Sequence, residues 1–201
     1  MEPLIQHKGK VVCLNRGHVD TDQIIPKQFL KRIERDGFGE FLFYDWRFLP
    51  SGEPNPDFEL NAPQAKGVSI MLADTNFGCG SSREHAVWAL SDYGFKVIIA
   101  PSFGDIFFNN SFKNGLLPIV ISQAARDDLA ASHARGEWND ITVNLEEQWI
   151  ETDHGVRVAF DIDPHKKHML LLGLDDIGLT LQYESEIAAY EAKRKAYQYV
   201  Y

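Results

Sequence analysis

Apolar and polar positions follow two regimes along the chain. In the first, short apolar runs alternate with amphipathic stretches. Lys10 to Leu14, Val68 to Ala73 (VSIMLA), Lys96 to Ala100 (KVIIA) and Leu116 to Ile121 read as strands, the middle two as buried ones. Ala86, Val87, Ala89 and Leu90 mark the apolar face of a helix closed by Gly94. A second helix runs from Asp105 to Asn114 and closes at Gly115, and Ser122 to Arg135 reads as a third. This βαβα alternation predicts a largely parallel or mixed sheet covered by helices. In the second regime, ITVNLEEQWIE and VRVAFDI between Ile141 and Asp161 alternate with period two about a turn at Asp153-His154-Gly155, which reads as a β-hairpin. Asp163-Pro164 opens a short helix over Lys166 to Leu172, and Glu184 to Tyr199 reads as a polar tail helix. The fold class is α/β: a mixed or barrel-like β core flanked by helices. It forms one domain over 1–201, with the core at about 10–165 and a helical tail at about 166–201.

Two connecting stretches stand out. After Pro26, the residues Phe29, Leu30 and Ile33 fit the apolar side of a short helix, and the loop GFGEFLFYDWRF carries a heavy aromatic load suited to a packed connector. Ser51 to Gly67, rich in Pro, Gly and Asn, reads as surface loop.

Candidate chemistry concentrates in Thr75 to Tyr93, TNFGCGSSREHAVWALSDY. Gly78 and Gly80 bracket Cys79, Ser81 is placed as N-cap, and Glu84 three residues on completes a capping-box pattern. The unit is strand, glycine turn and helix N-terminus, where unpartnered N–H groups and the macrodipole favour an anion. Arg83 adds a planar fork suited to carboxylate. The same residues also fit an ordinary capped helix in which Ser81 only satisfies the backbone. The string is neither G-x-G-x-x-G nor G-x-S-x-G.

Composition narrows the partners. Asp and Glu outnumber Lys and Arg by 29 to 20 among 201 residues, a net charge of −9 that argues against nucleic acid. Cys13 and Cys79 lie far apart without C-x-x-C spacing and read as thiols of a reducing compartment. No apolar run approaches membrane-spanning length and MEPLIQHKGK lacks a signal-peptide core, so a cytoplasmic location is expected with no membrane partner. Asp20 and Asp22 read either as paired carboxylates or as caps of turns and helices. Asn109, Asn110 and Lys113 lie on adjacent turns, and His165 with His168 lack a third metal ligand.

The string FGCGSSREHA closely resembles the active-site segment of the swivelling domain of the aconitase superfamily. Two further segments match in order, His18 to Pro26 (HVDTDQIIP) and Phe103 to Pro118 (FGDIFFNNSFKNGLLP). Together with length they resemble the 3-isopropylmalate dehydratase small-subunit family, most closely over Gly17 to Pro118. The resemblance implies an aconitase-like swivelling domain and a reaction that moves a hydroxyl between adjacent carbons by dehydration and rehydration. The substrate it implies is a malate-type dicarboxylate on the route to leucine. It assigns Ser81 as catalytic base, with Ser82 and Arg83 binding substrate carboxylate and Cys79 as a small packing residue; His85, which points back along the helix, reads as structural. It places the loop carrying Phe29, Leu30 and Ile33 against the variable end of the substrate, where an isopropyl group needs an apolar pocket. The family's Lewis acid is a [4Fe–4S] cluster, which needs about three or four thiolates. With two cysteines this chain binds no cluster or other metal itself, and the resemblance implies a cluster-bearing large subunit as partner.

Rival readings are a cysteine-nucleophile enzyme on Cys79 with His85 as base, and a non-catalytic carboxylate-binding module. Within the family, citramalate or homoaconitate-type acids are alternative substrates.

Overall fold

The computed structural model describes residues 1–30 and 37–193. Its centre is a seven-stranded mixed sheet in the order β4-β3-β2-β1-β5-β6-β7. Strands β1 (Gln6–Cys13), β2 (Val68–Leu72), β3 (Val97–Ala100) and β4 (Leu117–Val120) pair in parallel. Strands β5 (Asp140–Asn144), β6 (Trp149–Thr152) and β7 (Arg157–Ala159) continue on the other side of β1, antiparallel throughout. The sheet changes character at β1, and the register of the β1–β2 pair shifts between Lys10 and Val11.

The described helices are α1 (Thr21–Ile24), α2 (Tyr44–Arg47), α3 (Glu84–Tyr93), α4 (Asp105–Lys113), α5 (Gln123–Ala134), α6 (Pro164–Leu172), α7 (Asp176–Leu181) and α8 (Glu184–Glu191). Alternate residues of the parallel strands feed two cores. Met71 and Ile98 join α3 and the aromatic connector on one side. Ile70, Leu72, Val97 and Ile99 join α5, α6 and the antiparallel strands on the other. A strand presents successive side chains to opposite faces, so strands covered on both faces carry unbroken apolar runs. None of the described helices is long and apolar enough to cross a membrane.

Three segments depart from the expectation. The alternating region is a three-stranded meander, because Leu145 to Gln148 form a turn inside the stretch read as one strand. The Asn144 side chain accepts from Glu147 N at 2.8 Å, and Gln148 adopts a left-handed φ of 59°. Ser51 to Gly67 is not surface throughout: Phe58, Leu60 and Ala65 are buried, and the Asn61 amide donates to the carbonyls of Arg47 and Asn55. The tail contains the additional helix α7. The C-terminal end of the expected tail helix, beyond 193, lies outside the described residues, as does Ile33.

Candidate functional site

The site is built at the carboxyl ends of β1, β2 and β3, where ligands bind in open α/β sheets. Three loops meet there, leading from β1 to α1, from β2 to α3 and from β3 to α4. The middle loop is stitched to both neighbours by the short parallel bridges Asp20–Cys79 and Phe77–Phe103. Gly78 N donates to Val19 O at 2.7 Å, Thr21 N to Cys79 O at 2.9 Å, and Gly104 N to Phe77 O at 2.9 Å. Two glycines permit the approach. Gly78 has a φ of 72°, and a Cβ there would lie 2.2 Å from Phe107 Cγ. A Cβ on Gly104 would lie 2.5 Å from the carbonyl oxygen of Gly78.

The middle loop ends differently from the capping-box reading. α3 starts at Glu84 with Arg83 as its N-cap residue, extended at φ −96° and ψ 108°, and no side chain caps it. Ser81 is therefore not the cap. The physical reason is tertiary: the Glu84 carboxylate that would reach back accepts instead from the Asn114 amide, at 2.9 Å across to the end of α4. Gly80 turns the chain at a φ of 91°, and Ser81 and Ser82 stand exposed. The Ser81 carbonyl accepts from Arg83 N at 2.8 Å and from the Thr21 hydroxyl at 3.1 Å.

Arg83 is the charged member of the site. Its side chain, 16% exposed, forms an ion pair with Asp22, which also meets Lys27 at 3.2 Å. Asp20 and Asp22 thus divide their roles. Asp20 caps α1 in a reciprocal capping box with Gln23, while Asp22 holds the cations. A guanidinium has five donors, so one carboxylate leaves part of the fork for a second anion. Sequence reasoning missed Thr21 and Asp22 as supports of Ser81 and Arg83. Both lie in the HVDTDQIIP segment, but nothing local in sequence links them to residues some sixty positions away.

Phe29 and Leu30 follow Lys27 at the end of a 3-10 turn over Lys27–Phe29, and both are half-buried against the core below α3. The Phe29 ring stacks on Phe41 at 4.0 Å and meets Tyr44 edge-on at 4.9 Å. The connector is pinned by Arg47, whose guanidinium donates to the carbonyls of Gly39 and Leu42, and by Asp92, which accepts from Gly39 N at 2.7 Å.

The geometry disfavours a nucleophilic Cys79. Burial and the neighbouring Asp20 carboxylate push its thiol upward, away from the reactive thiolate. The His85 ring packs on Trp88 at 4.7 Å and Phe38 at 5.4 Å, and burial lowers its pKa. Cys13, pushed up to about 11 by burial, lies beside His133 Nδ1 at 3.5 Å. Asn109 joins Asp105 O to Lys166, and Lys113 pairs with Asp176. No cluster of three or more His, Cys, Asp or Glu suited to a metal occurs among the described residues.

The aconitase C-terminal domain family model matches residues 1–124, and the model for the C-terminal domain of the 3-isopropylmalate dehydratase small subunit matches 176–198. The 3-isopropylmalate dehydratase small subunit of Geobacillus kaustophilus is 58% identical over 193 residues, covering 96% of this chain and 98% of that protein. The chain belongs to the 3-isopropylmalate dehydratase small-subunit family. The protein of the same name from Bacillus licheniformis is 60% identical over 200 residues, covering 98% of both chains. A crystal structure of a 3-isopropylmalate dehydratase from Methanocaldococcus jannaschii superposes with a TM-score of 0.65 at 23% identity. It covers 92% of this chain and 99% of that one, and at this identity the likeness speaks for the fold.

Proposed function

We propose that this chain is the small subunit of a two-subunit hydro-lyase that interconverts 2-isopropylmalate and 3-isopropylmalate by dehydration and rehydration in the cytoplasm. The reading rests on the exposed Ser81-Ser82 pair beside the partly buried Arg83, held on a stitched three-loop frame in a member of this family. Ser81 is the base that takes the proton from the carbon beside a substrate carboxylate and returns it in the reverse direction. Ser82 and Arg83 bind that carboxylate, Arg83 through the part of its fork that Asp22 leaves free. A serine alkoxide needs an anion-stabilising, water-poor setting. The uncapped first turn of α3 and the Arg83 charge supply the first requirement. A covering surface from a second chain supplies the other, since Ser81 and Ser82 are exposed here. Phe29 and Leu30 supply the apolar side that receives the isopropyl group, and Ile33, outside the described residues, is assigned to it from the sequence alone.

A [4Fe–4S] cluster does not fit the residues of this chain. It needs about three or four thiolates, whereas Cys13 faces His133, Cys79 lies beside Asp20, and both thiols are pushed toward the protonated form. The cluster belongs to the large subunit, and the active site is completed only between the two chains.

The test is anaerobic conversion of 2-isopropylmalate by this chain alone and with a cluster-loaded large subunit. Turnover in the mixture alone is expected. Turnover by the isolated chain, or none in any mixture, overturns the reading, and conversion of a related acid in place of isopropylmalate overturns its substrate.

A further inference from the structure

Thr21 is 1% exposed, and its main chain and side chain both grip the loop that carries Ser81. Its N–H donates to Cys79 O at 2.9 Å and its hydroxyl to Ser81 O at 3.1 Å, one bond on each side of Gly80. Gly80, with a φ of 91°, gives the loop no side chain with which to lock its own turn. Its open side faces this same element: a Cβ built there would meet Asp20 Cβ at 3.4 Å and Thr21 Oγ1 at 3.6 Å. The platform beneath Thr21 is fixed. Asp20 accepts from Gln23 N at 2.8 Å, Gln23 accepts from Asp20 N at 2.9 Å, and Ile24 and Ile25 are fully buried.

We propose that Thr21 is a positioning residue for the reaction: its buried hydroxyl sets the orientation of the Ser81 peptide, and through it the direction of the Ser81 hydroxyl. The proposal rests on Ser81 being the base. At 1% exposed, Thr21 is shielded from any substrate and acts through Ser81. Among the described residues, loss of its hydroxyl leaves the Ser81 carbonyl with the local bond from Arg83 N alone and loosens the turn at Gly80. A misplacement of about 1 Å at a reacting group costs on the order of a hundredfold in rate.

The experiment uses the reconstituted two-subunit enzyme with Thr21→Val, which keeps the shape without the hydroxyl, and Thr21→Ser, which keeps the hydroxyl. Thr21→Val should lower kcat by about tenfold or more while KM for 2-isopropylmalate stays within about twofold, and Thr21→Ser should recover most of the loss. In a Ser81→Ala background, Thr21→Val should cost nothing further, because the two residues act through one another. Unchanged kcat in Thr21→Val overturns the proposal, as does a Thr21→Ser variant equally impaired, or an undiminished cost in the Ser81→Ala background. If Thr21→Val fails to fold, the Thr21→Ser kinetics decide: near-normal kcat supports the role and a tenfold loss overturns it. Normal turnover of Ser81→Ala by itself overturns the base assignment, whereas impaired Ser81→Ala beside unaffected Thr21→Val overturns only the positioning role.

Discussion

The contact between Gly78 and Phe107 fixes the Ser81 loop against the neighbouring βα loop, and Gly78→Ala measures how firmly. Two costs follow from the geometry. At a φ of 72° an L side chain costs about 1–2 kcal/mol. The new Cβ would lie 2.2, 2.6 and 2.7 Å from Phe107 Cγ, Cδ1 and Cβ, overlapping a side chain that is itself buried. Overpacking of that kind costs about 1–3 kcal/mol. The sum is about 2–5 kcal/mol. Two further variants separate the parts. Gly52→Ala, at a φ of 86° in open space, carries only the backbone cost of about 1–2 kcal/mol. Gly104 needs no left-handed backbone, and its added Cβ would meet the Gly78 carbonyl oxygen at 2.5 Å, so Gly104→Ala carries only packing, about 1–3 kcal/mol. Urea denaturation with the m-value monitored gives the free energies, and each kcal/mol should move the thermal midpoint by about 2–4 °C. A Gly78→Ala variant no less stable than Gly52→Ala would mean that Phe107 yields without cost and that the loop frame does not depend on this contact.

Other perturbations address the site and the core. Arg83→Lys keeps the charge beside Asp22 but loses the fork, so kcat/KM of the reconstituted enzyme should fall by about 10–100-fold. A change below twofold, against an expected loss of roughly tenfold at least, speaks against carboxylate binding there. Leu30→Lys should weaken turnover of 2-isopropylmalate, and unchanged kinetics would remove the loop from the substrate pocket. Burial lowers the pKa of His7, of His85 and of His133 below the ordinary value of 6.5. The unfolded chain therefore binds more protons below that value. The contribution of these histidines to stability is complete above pH 6.5 and is lost as pH falls from there through their folded values. Urea midpoints measured down from pH 7.5 (chosen about one unit above that value) should carry this slope, and His133→Gln should flatten it. An identical slope in the variant contradicts the assignment.

The parallel half of the sheet was legible because its strands are covered on both sides and read as unbroken apolar runs, as in Val97 to Ala100. The first turn of the meander was not. It contains neither Gly nor Pro, and Gln148 supplies the left-handed conformation that a glycine usually announces. The capping-box pattern at Ser81 misled for a related reason: Glu84 fits it locally, but the partner that wins is Asn114, thirty residues on. Gly94 ended α3 as expected, with a φ of 118°, because that requirement is local. The FGCGSSREHA string stood out in the sequence, whereas the pairing of Arg83 with Asp22 and the support of Ser81 by Thr21 exist only once β1 and β2 lie side by side. The Phe29 ring, read as apolar surface, is largely engaged by Phe41 and Tyr44.

Under the proposed function, Ser81 performs the proton transfer in a site shared by two chains. The most direct measurement is the turnover of 2-isopropylmalate by Ser81→Ala reconstituted anaerobically with the cluster-loaded large subunit, beside a sedimentation assay of complex formation. The expected result is an intact complex whose kcat is lower by about 10²–10⁴-fold, the usual contribution of a positioned acid–base group. An intact complex that turns over at the wild-type rate would rule out Ser81 as the base.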